Sequence, residues 1–455
     1  MLLLAGMTCV ALWVWPGYLL PKPWIRPGPA PEAMAIFFSS DAAGYIEPCG
    51  CTLQRWGGVA RLGGALRKLQ KPATRLRVDV GDMTGGTLRW QRVGLQHYLA
   101  ALGQMDYSAA NLGDMEIAMP ASDLRAIAKS SPVPLVSANV LDAATGQPLV
   151  ASHRQILINN LRVTILGVVS PSANRTPGQG LKIADIDQSL GAILPTLRPH
   201  TDVIVLLAAA DEPTMRHIAQ AHPELDVIVG GRVNQASQRI EQVGTCRLAW
   251  QAKKGQMLGR MDIQIRPDGQ PGPATGVMMM LDNDIPEDPA LLDVVAQYNA
   301  ELSRLNRQGG LAELGVPITD PPAGKNTYVG SENCRVCHPA EYKTWRQSDH
   351  SRAYESLLAR QRDNNPDCVS CHVVDLGAGD GFAGLSQTPE RANVQCESCH
   401  GRGADHASAR TKHADVSVGK MSRVLSTSCE VCHDYQHSPE FSYTTYWTRI
   451  EHARQ

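Results

Sequence analysis

Cys334-Arg335-Val336-Cys337-His338 is the first of four copies of one five-residue pattern. The others are Cys368-Val369-Ser370-Cys371-His372, Cys396-Glu397-Ser398-Cys399-His400 and Cys429-Glu430-Val431-Cys432-His433. Two thiols held on one short turn can reach both vinyl groups of a porphyrin, and the next residue then sets its imidazole beneath the iron. Zinc ribbons also use paired Cys-x-x-Cys, but a histidine directly after every pair is not their signature. Eight of the twelve cysteines and nine of the fourteen histidines lie in this C-terminal stretch. The reading is four covalently bound c-type haems, with His338, His372, His400 and His433 as proximal iron ligands.

The sixth ligands follow from what else the stretch contains. Met421 is its single methionine, so at most one iron takes a thioether and most are expected to be bis-His. Imidazole favours ferric iron more than thioether does, which predicts low potentials. The distal candidates are His350, His406, His437 and His452, with His413 as a weaker, loop-borne one. His350 sits in EYKTWRQSDHSRAYESLL, whose apolar spacing predicts a helix that puts Tyr354 and Leu357 on its face. His406 follows His400 closely, after the Gly-rich GRGAD, and is expected to serve a neighbouring haem. His452 follows the aromatic FSYTTYW and is expected to lie on a strap across a haem.

Roughly 130 residues would serve four haems here. That is too little protein for an ordinary apolar core, so the haems must themselves be the core and lie close together. Residues 327–455 resemble the tetrahaem cytochromes that accept electrons from hydroxylamine oxidoreductase in nitrifying bacteria. The resemblance rests on Tyr328-Val329-Gly330, Trp345 with Ser348-Asp349-His350, VQCESCHG and HSPEFSYTTYWTRIEH. It implies a mostly α-helical, haem-packed domain with haems stacked in pairs, one of them without a strong distal ligand.

Residues 35–285 read as a different unit. Apolar runs (AIFFSSD, LRVDVGD, VPLVSANV, VTILGVVS, DVIVLLAAA, LDVIVGG) alternate with amphipathic segments such as QRVGLQHYLAALGQM. This predicts an α/β layered domain with its site at the strand C-terminal ends. The order of those ends resembles the calcineurin-like metallophosphoesterases of the 5'-nucleotidase branch. That family holds two metals through Asp-x-His, Gly-Asp, Gly-Asn-His-Glu or Asp, a lone His and Gly-His-x-His. Here Ala43 stands where Asp41 should be followed by His, Gly81-Asp82 is intact, and Gly113-Asp114-Met115-Glu116 replaces the third motif. LLAAADE lacks the lone His, and Gly231-Arg232-Val233-Asn234 replaces both last histidines. Without imidazoles a two-metal clamp is not expected. Asp41, Asp82 and Asp114 are the weak remnant, suited at most to one hard cation such as Mg²⁺ or Ca²⁺. Phosphoesterase activity is therefore not expected, and the domain reads as a scaffold or docking module. Cys49-Gly50-Cys51 is unassigned; Cys-x-Cys closes only a strained disulfide.

The remaining segments set compartment and connection. Residues 1–20 carry no charged side chain and read as an export signal or membrane anchor, and 21–34 as a Pro-rich linker. Residues 286–326 read as a helical connector and linker. The expected location is periplasmic or extracytoplasmic, held to the cytoplasmic membrane by the N-terminal segment. The formal net charge of −1 offers nothing to a nucleic acid, and haem propionates would make the protein more acidic still. Redox partners such as a quinol oxidoreductase or another cytochrome are expected, and an oligomer is left open. The rival expectation is a redox enzyme using an open iron on a small nitrogen or sulfur compound.

Overall fold

The computed structural model describes residues 28–452 except 49–54, 70–71, 253, 322, 325, 416, 435–436 and 439. The expected signal or anchor at 1–20, most of the linker 21–34, and Cys9, Cys49 and Cys51 lie outside the described residues. Among the described residues no helix is long and apolar enough to cross a membrane.

Two six-stranded mixed sheets build the α/β unit. The first runs, in spatial order, Pro271–Met280, Met257–Ile265, Ala33–Ser39, Arg75–Asp79, Ala109–Asn111, Leu135–Val136. The second runs Glu241–Val243, Cys246–Trp250, Val227–Gly231, Val203–Ala209, Leu161–Val169, His153–Ile158. Four consecutive strands of each are parallel. Parallel strands are covered on both faces, which is why VIVLLAA is apolar throughout. Val203, Val205, Leu207 and Ala209 join the core between the sheets. Ile204, Leu206 and Ala208 alternate to the other face and pack under helices Ile186–Leu197 and Glu212–Ala221.

The outer face of the first sheet is covered by helices Val59–Lys68, Arg89–Gln104 and Pro289–Glu313. The last was expected to be a connector, but it is part of the packed unit. Leu291, Val294, Tyr298, Leu302 and Leu305 enter the same core as the strands, because its apolar residues recur at helical spacing along one face. Its regular part stops at Gly309 and Gly310, where the latter takes φ 64°.

The haem-motif segment is made of short helices, the longest being the nine residues Pro339–Gln347. The single helix expected around His350 is broken at Ser348, where the backbone turns extended (ψ 160°). Ser348 Oγ donates to the Trp345 carbonyl and Ser351 Oγ to those of Arg346 and Ser348, so side chains replace the helical ladder. Buried apolar side chains gather in one small cluster: Tyr354, Leu357, Val369, Val373, Phe382 and Ala392.

Candidate haem centre

Each Cys-x-x-Cys-His sits on a short turn or helix that sequence-local bonds hold. His338 and His433 donate their backbone N–H to Cys334 and Cys429, closing one helical turn around each pair. Asn365 caps the turn that bears Cys368 by accepting from the Asp367 N–H. The first and third motifs are stitched together. Ser331 N–H donates to Gln395 Oε1, and Ser331 Oγ accepts from the Cys396 N–H at 3.3 Å. Glu397, 2% exposed inside the third motif, accepts from the N–H groups of Val329, Gly330 and Gly403. No sequence signal marked Glu397 for this role, because its partners lie both far upstream and just downstream.

Three of the distal candidates meet proximal histidines. Ring centres are 6.1 Å apart for His338 and His406, 6.0 Å for His350 and His433, and 6.0 Å for His400 and His452. An iron accepting an imidazole nitrogen at about 2 Å from each side needs ring centres roughly 6 Å apart. The spacing of each pair is that of two axial imidazoles on one iron. Backbone carbonyls fix the tautomer: the Nδ1 atoms of His372, His400, His406 and His452 lie 2.7–3.1 Å from the carbonyl oxygens of Ala353, Ser422, Gly419 and Ile450. A carbonyl only accepts, so each Nδ1 carries the proton and each Nε2 is bare for a metal. Burial holds the His350, His372, His400 and His433 imidazoles below their ordinary pKa, which keeps them neutral.

The fourth pairing is missing. Among the described residues no imidazole faces His372. His437, expected as a distal ligand, bonds Asp434 through its backbone N–H and its ring Nδ1, at 2.7 Å each, which leaves its Nε2 bare; it lies within electrostatic reach of Cys371 in the second motif, but its ring is not set against His372. His413 takes a left-handed φ of 54° at the end of a helix and meets no proximal histidine. The Met421 methyl lies beside Gly403, in the part of the segment that carries the third motif.

Thiol contacts give the order of the four sites. Cys334 and Cys396 lie close enough to shift each other's thiol pKa, and so do Cys371 and Cys432. Cys399 lies within electrostatic reach of Cys429. The motifs are therefore neighbours in the order first, third, fourth, second.

The strand ends of the α/β unit correct the weak cation site. Asp41, Asp82 and Arg232 all take left-handed φ values (54°, 56°, 61°) at the ends of central strands. Arg232 fills the space between the acids. Its backbone N–H donates to Asp41 Oδ2 at 2.9 Å, its Nε lies 3.8 Å from Asp82 Oδ2, and its Nη1 donates to the carbonyls of Ser170 and Ala209. Asp114 is drawn away to Ser172 and Arg175. Burial alone would raise its pKa, but the Ser172 donors and the Arg232 and Arg175 charges hold it below the usual range. Burial raises Asp41. It also raises Asp82, with the charges of Glu116 and Asp41 adding to the effect. Among the described residues no three His, Cys, Asp or Glu side chains converge as a metal site. A guanidinium now stands against the residual acids as their cation.

Comparison with known proteins places both halves. Residues 333–401 match the family model for cytochrome c554 and c-prime. The match implies covalently bound haem in this segment and haem-based electron transfer as its chemistry. Cytochrome c-554 of Nitrosomonas europaea is 28% identical over 25% of this chain and 60% of its own. An uncharacterised metallophosphoesterase of Bacillus subtilis is 25% identical, over 36% of each chain. The chain thus spans less than two thirds of the length of either relative. Among solved structures, the 5'-nucleotidase precursor of Thermus thermophilus aligns with TM-score 0.52 and 20% identity, covering 69% of this chain and 67% of that one. The calcineurin-like phosphoesterase YfkN of Bacillus subtilis aligns with TM-score 0.52 and 17% identity, covering 60% and 98%. The N-terminal unit has the calcineurin-like metallophosphoesterase fold, and the helical C-terminal region carries the cytochrome c554 domain.

Proposed function

We propose that this protein is an extracytoplasmic electron carrier with four covalently bound c-type haems, three closed by two histidines and one open. When bound, haem supplies reversible one-electron iron chemistry whose potential its axial ligands set. The chain's part is to attach, orient and space. The four cysteine pairs fix position, the carbonyls of Ala353, Ser422, Gly419 and Ile450 orient imidazoles, and His406, His350 and His452 close the first, fourth and third irons.

The observation that carries this reading is the set of three imidazole pairs about 6 Å apart, each joining a motif histidine to one from another part of the chain. The contiguous order of the motifs supports a single conducting row. The α/β unit serves as scaffold or docking module, because Arg232 stands against Asp41 and Asp82, the carboxylates left of the expected metal motifs. Anchoring through residues 1–20 and exchange of electrons with a quinol oxidoreductase or another cytochrome complete the proposal. Intact-mass measurement on protein made with a haem-attachment system tests the count: four haems per chain are expected, and three or fewer at saturation would refute it.

One observation favours a second reading. Among the described residues no imidazole stands opposite His372, so its iron could receive a small nitrogen or sulfur compound. Turnover of such a compound, lost when that site alone is disabled, would make the protein an enzyme.

A further inference from the structure

The second motif differs from the others in what flanks it. Residues bordering the first and third motifs bond within the haem segment, through Ser331, Gln395 and Glu397. Those bordering the second are held by the α/β unit before it, and after it by the linker that follows the helix Pro289–Glu313 and by Leu376 against the α/β core. Before it, Arg362 Nε pairs with Glu47 Oε2 at 2.9 Å, with side chains 14% and 17% exposed. Asn364 accepts from Asn306 Nδ2 at 2.6 Å and donates to Ser303 Oγ at 2.9 Å, both on the helix Pro289–Glu313. After it, the Thr319 N–H donates to the Gly377 carbonyl at 2.8 Å, and Gly379 packs against Thr319 and Pro321. Leu376 packs against both the α/β core and the small cluster around Val369.

The anchored loop leads straight into the attachment turn. The Arg362 carbonyl accepts from Asn365 N–H, and the Asn365 carbonyl accepts from Cys368 and Val369 N–H. A short hydrogen-bonded stretch thus links the Glu47 pair to Cys368. A partly buried, charge-assisted pair is a strong restraint, and cutting one side leaves the other charge uncompensated.

We propose that the α/β unit is a positioning module for the second haem, where no imidazole among the described residues faces the motif histidine, and that it acts through the Glu47–Arg362 pair and Asn364. This rests on the function proposed above and adds what the former phosphoesterase fold now does. Glu47 and Arg362 are positioning residues: they set the turn that carries Cys368 and so the attitude of the open iron.

The test uses the full-length holoprotein and compares wild type, Glu47→Arg, and the charge-swapped pair Glu47→Arg with Arg362→Glu. Electron paramagnetic resonance reads each iron, and carbon monoxide binding to the reduced protein reads the open one. Expected in Glu47→Arg are an altered high-spin signal and a change in carbon monoxide binding rate of about threefold or more. The three low-spin signals and the haem content should stay as in wild type, and the swap should restore both readings. Unchanged second-site signals in Glu47→Arg, or equal disturbance of all four, would overturn the proposal. If the wild type instead shows four low-spin irons, the open-site reading fails by itself. The positioning claim is then read from whether one low-spin signal alone shifts in Glu47→Arg.

Discussion

The His433 ring, in the fourth haem-attachment turn, stands 6.0 Å from that of His350, which follows the break at Ser348. His433 is also backed by Phe441, with ring centres 4.7 Å apart and planes 13° from parallel. His433 is thus held from one side by Phe441, so removing His350 should leave a vacancy at that iron alone. In His350→Ala, and likewise in His406→Ala, the high-spin share of the iron signal should rise from about one in four to about two in four. Electron paramagnetic resonance on oxidised protein with full haem content checks this.

Glu397 gathers three backbone donors, two from the distant loop at Val329 and Gly330 and one from Gly403 just downstream. Glu397→Ala strands all three where water is scarce, at a cost of roughly 3 kcal/mol or more. Thermal unfolding followed by haem absorbance should show a clear drop, while Glu397→Gln, which keeps an acceptor, should recover part of it.

Burial raises the pKa of Asp41 and Asp82, and the Arg232 charge works against that rise. Arg232→Ala leaves them with no cation and should destabilise the α/β unit by about 3 kcal/mol. Urea unfolding followed by far-ultraviolet circular dichroism measures it. Added Mn²⁺ should recover stability in the variant and leave the wild type unmoved, because only the variant has room for an ion between Asp41 and Asp82.

Asp79 is fully buried and accepts from Ser39 Oγ, the Gly81 N–H and the Tyr98 hydroxyl. Burial lifts its pKa from 3.8 to about 7. Between those values the folded chain keeps a proton that the unfolded chain has lost. Its contribution is therefore fully present below pH 4 and shrinks as pH rises, by up to about 4 kcal/mol at pH 7, then levels off. In Asp79→Asn that slope should vanish. The difference between the two urea-midpoint profiles from pH 4 to pH 8 isolates the effect.

The sequence was most legible where chemistry demands a fixed spacing. The four Cys-x-x-Cys-His turns could be read directly, and the apolar run at 203–209 announced a strand buried on both faces. His406 and His452 were legible as candidates, but their partners were not, since pairing depends on how short helices fold back over one another. His437 was legible as a candidate too, but not that Asp434, three residues before it, would hold its backbone N–H and its Nδ1. The helix at 289–313 looked like a connector because its apolar stripe says that something is buried without saying against what. Arg232 could be seen as a lost histidine; that its guanidinium would take the cation's place needed three dimensions. The Glu47–Arg362 pair was invisible, as nothing local links residues so far apart.

The most direct test is electron paramagnetic resonance of the oxidised full-length protein at low temperature, with haem counted on the same sample. Four haems per chain, three giving low-spin bis-imidazole signals and one high-spin, is the predicted result. Four low-spin signals would show a ligand opposite His372 and contradict the open site. A second high-spin iron would contradict at least one of the pairs His338–His406, His350–His433 and His400–His452.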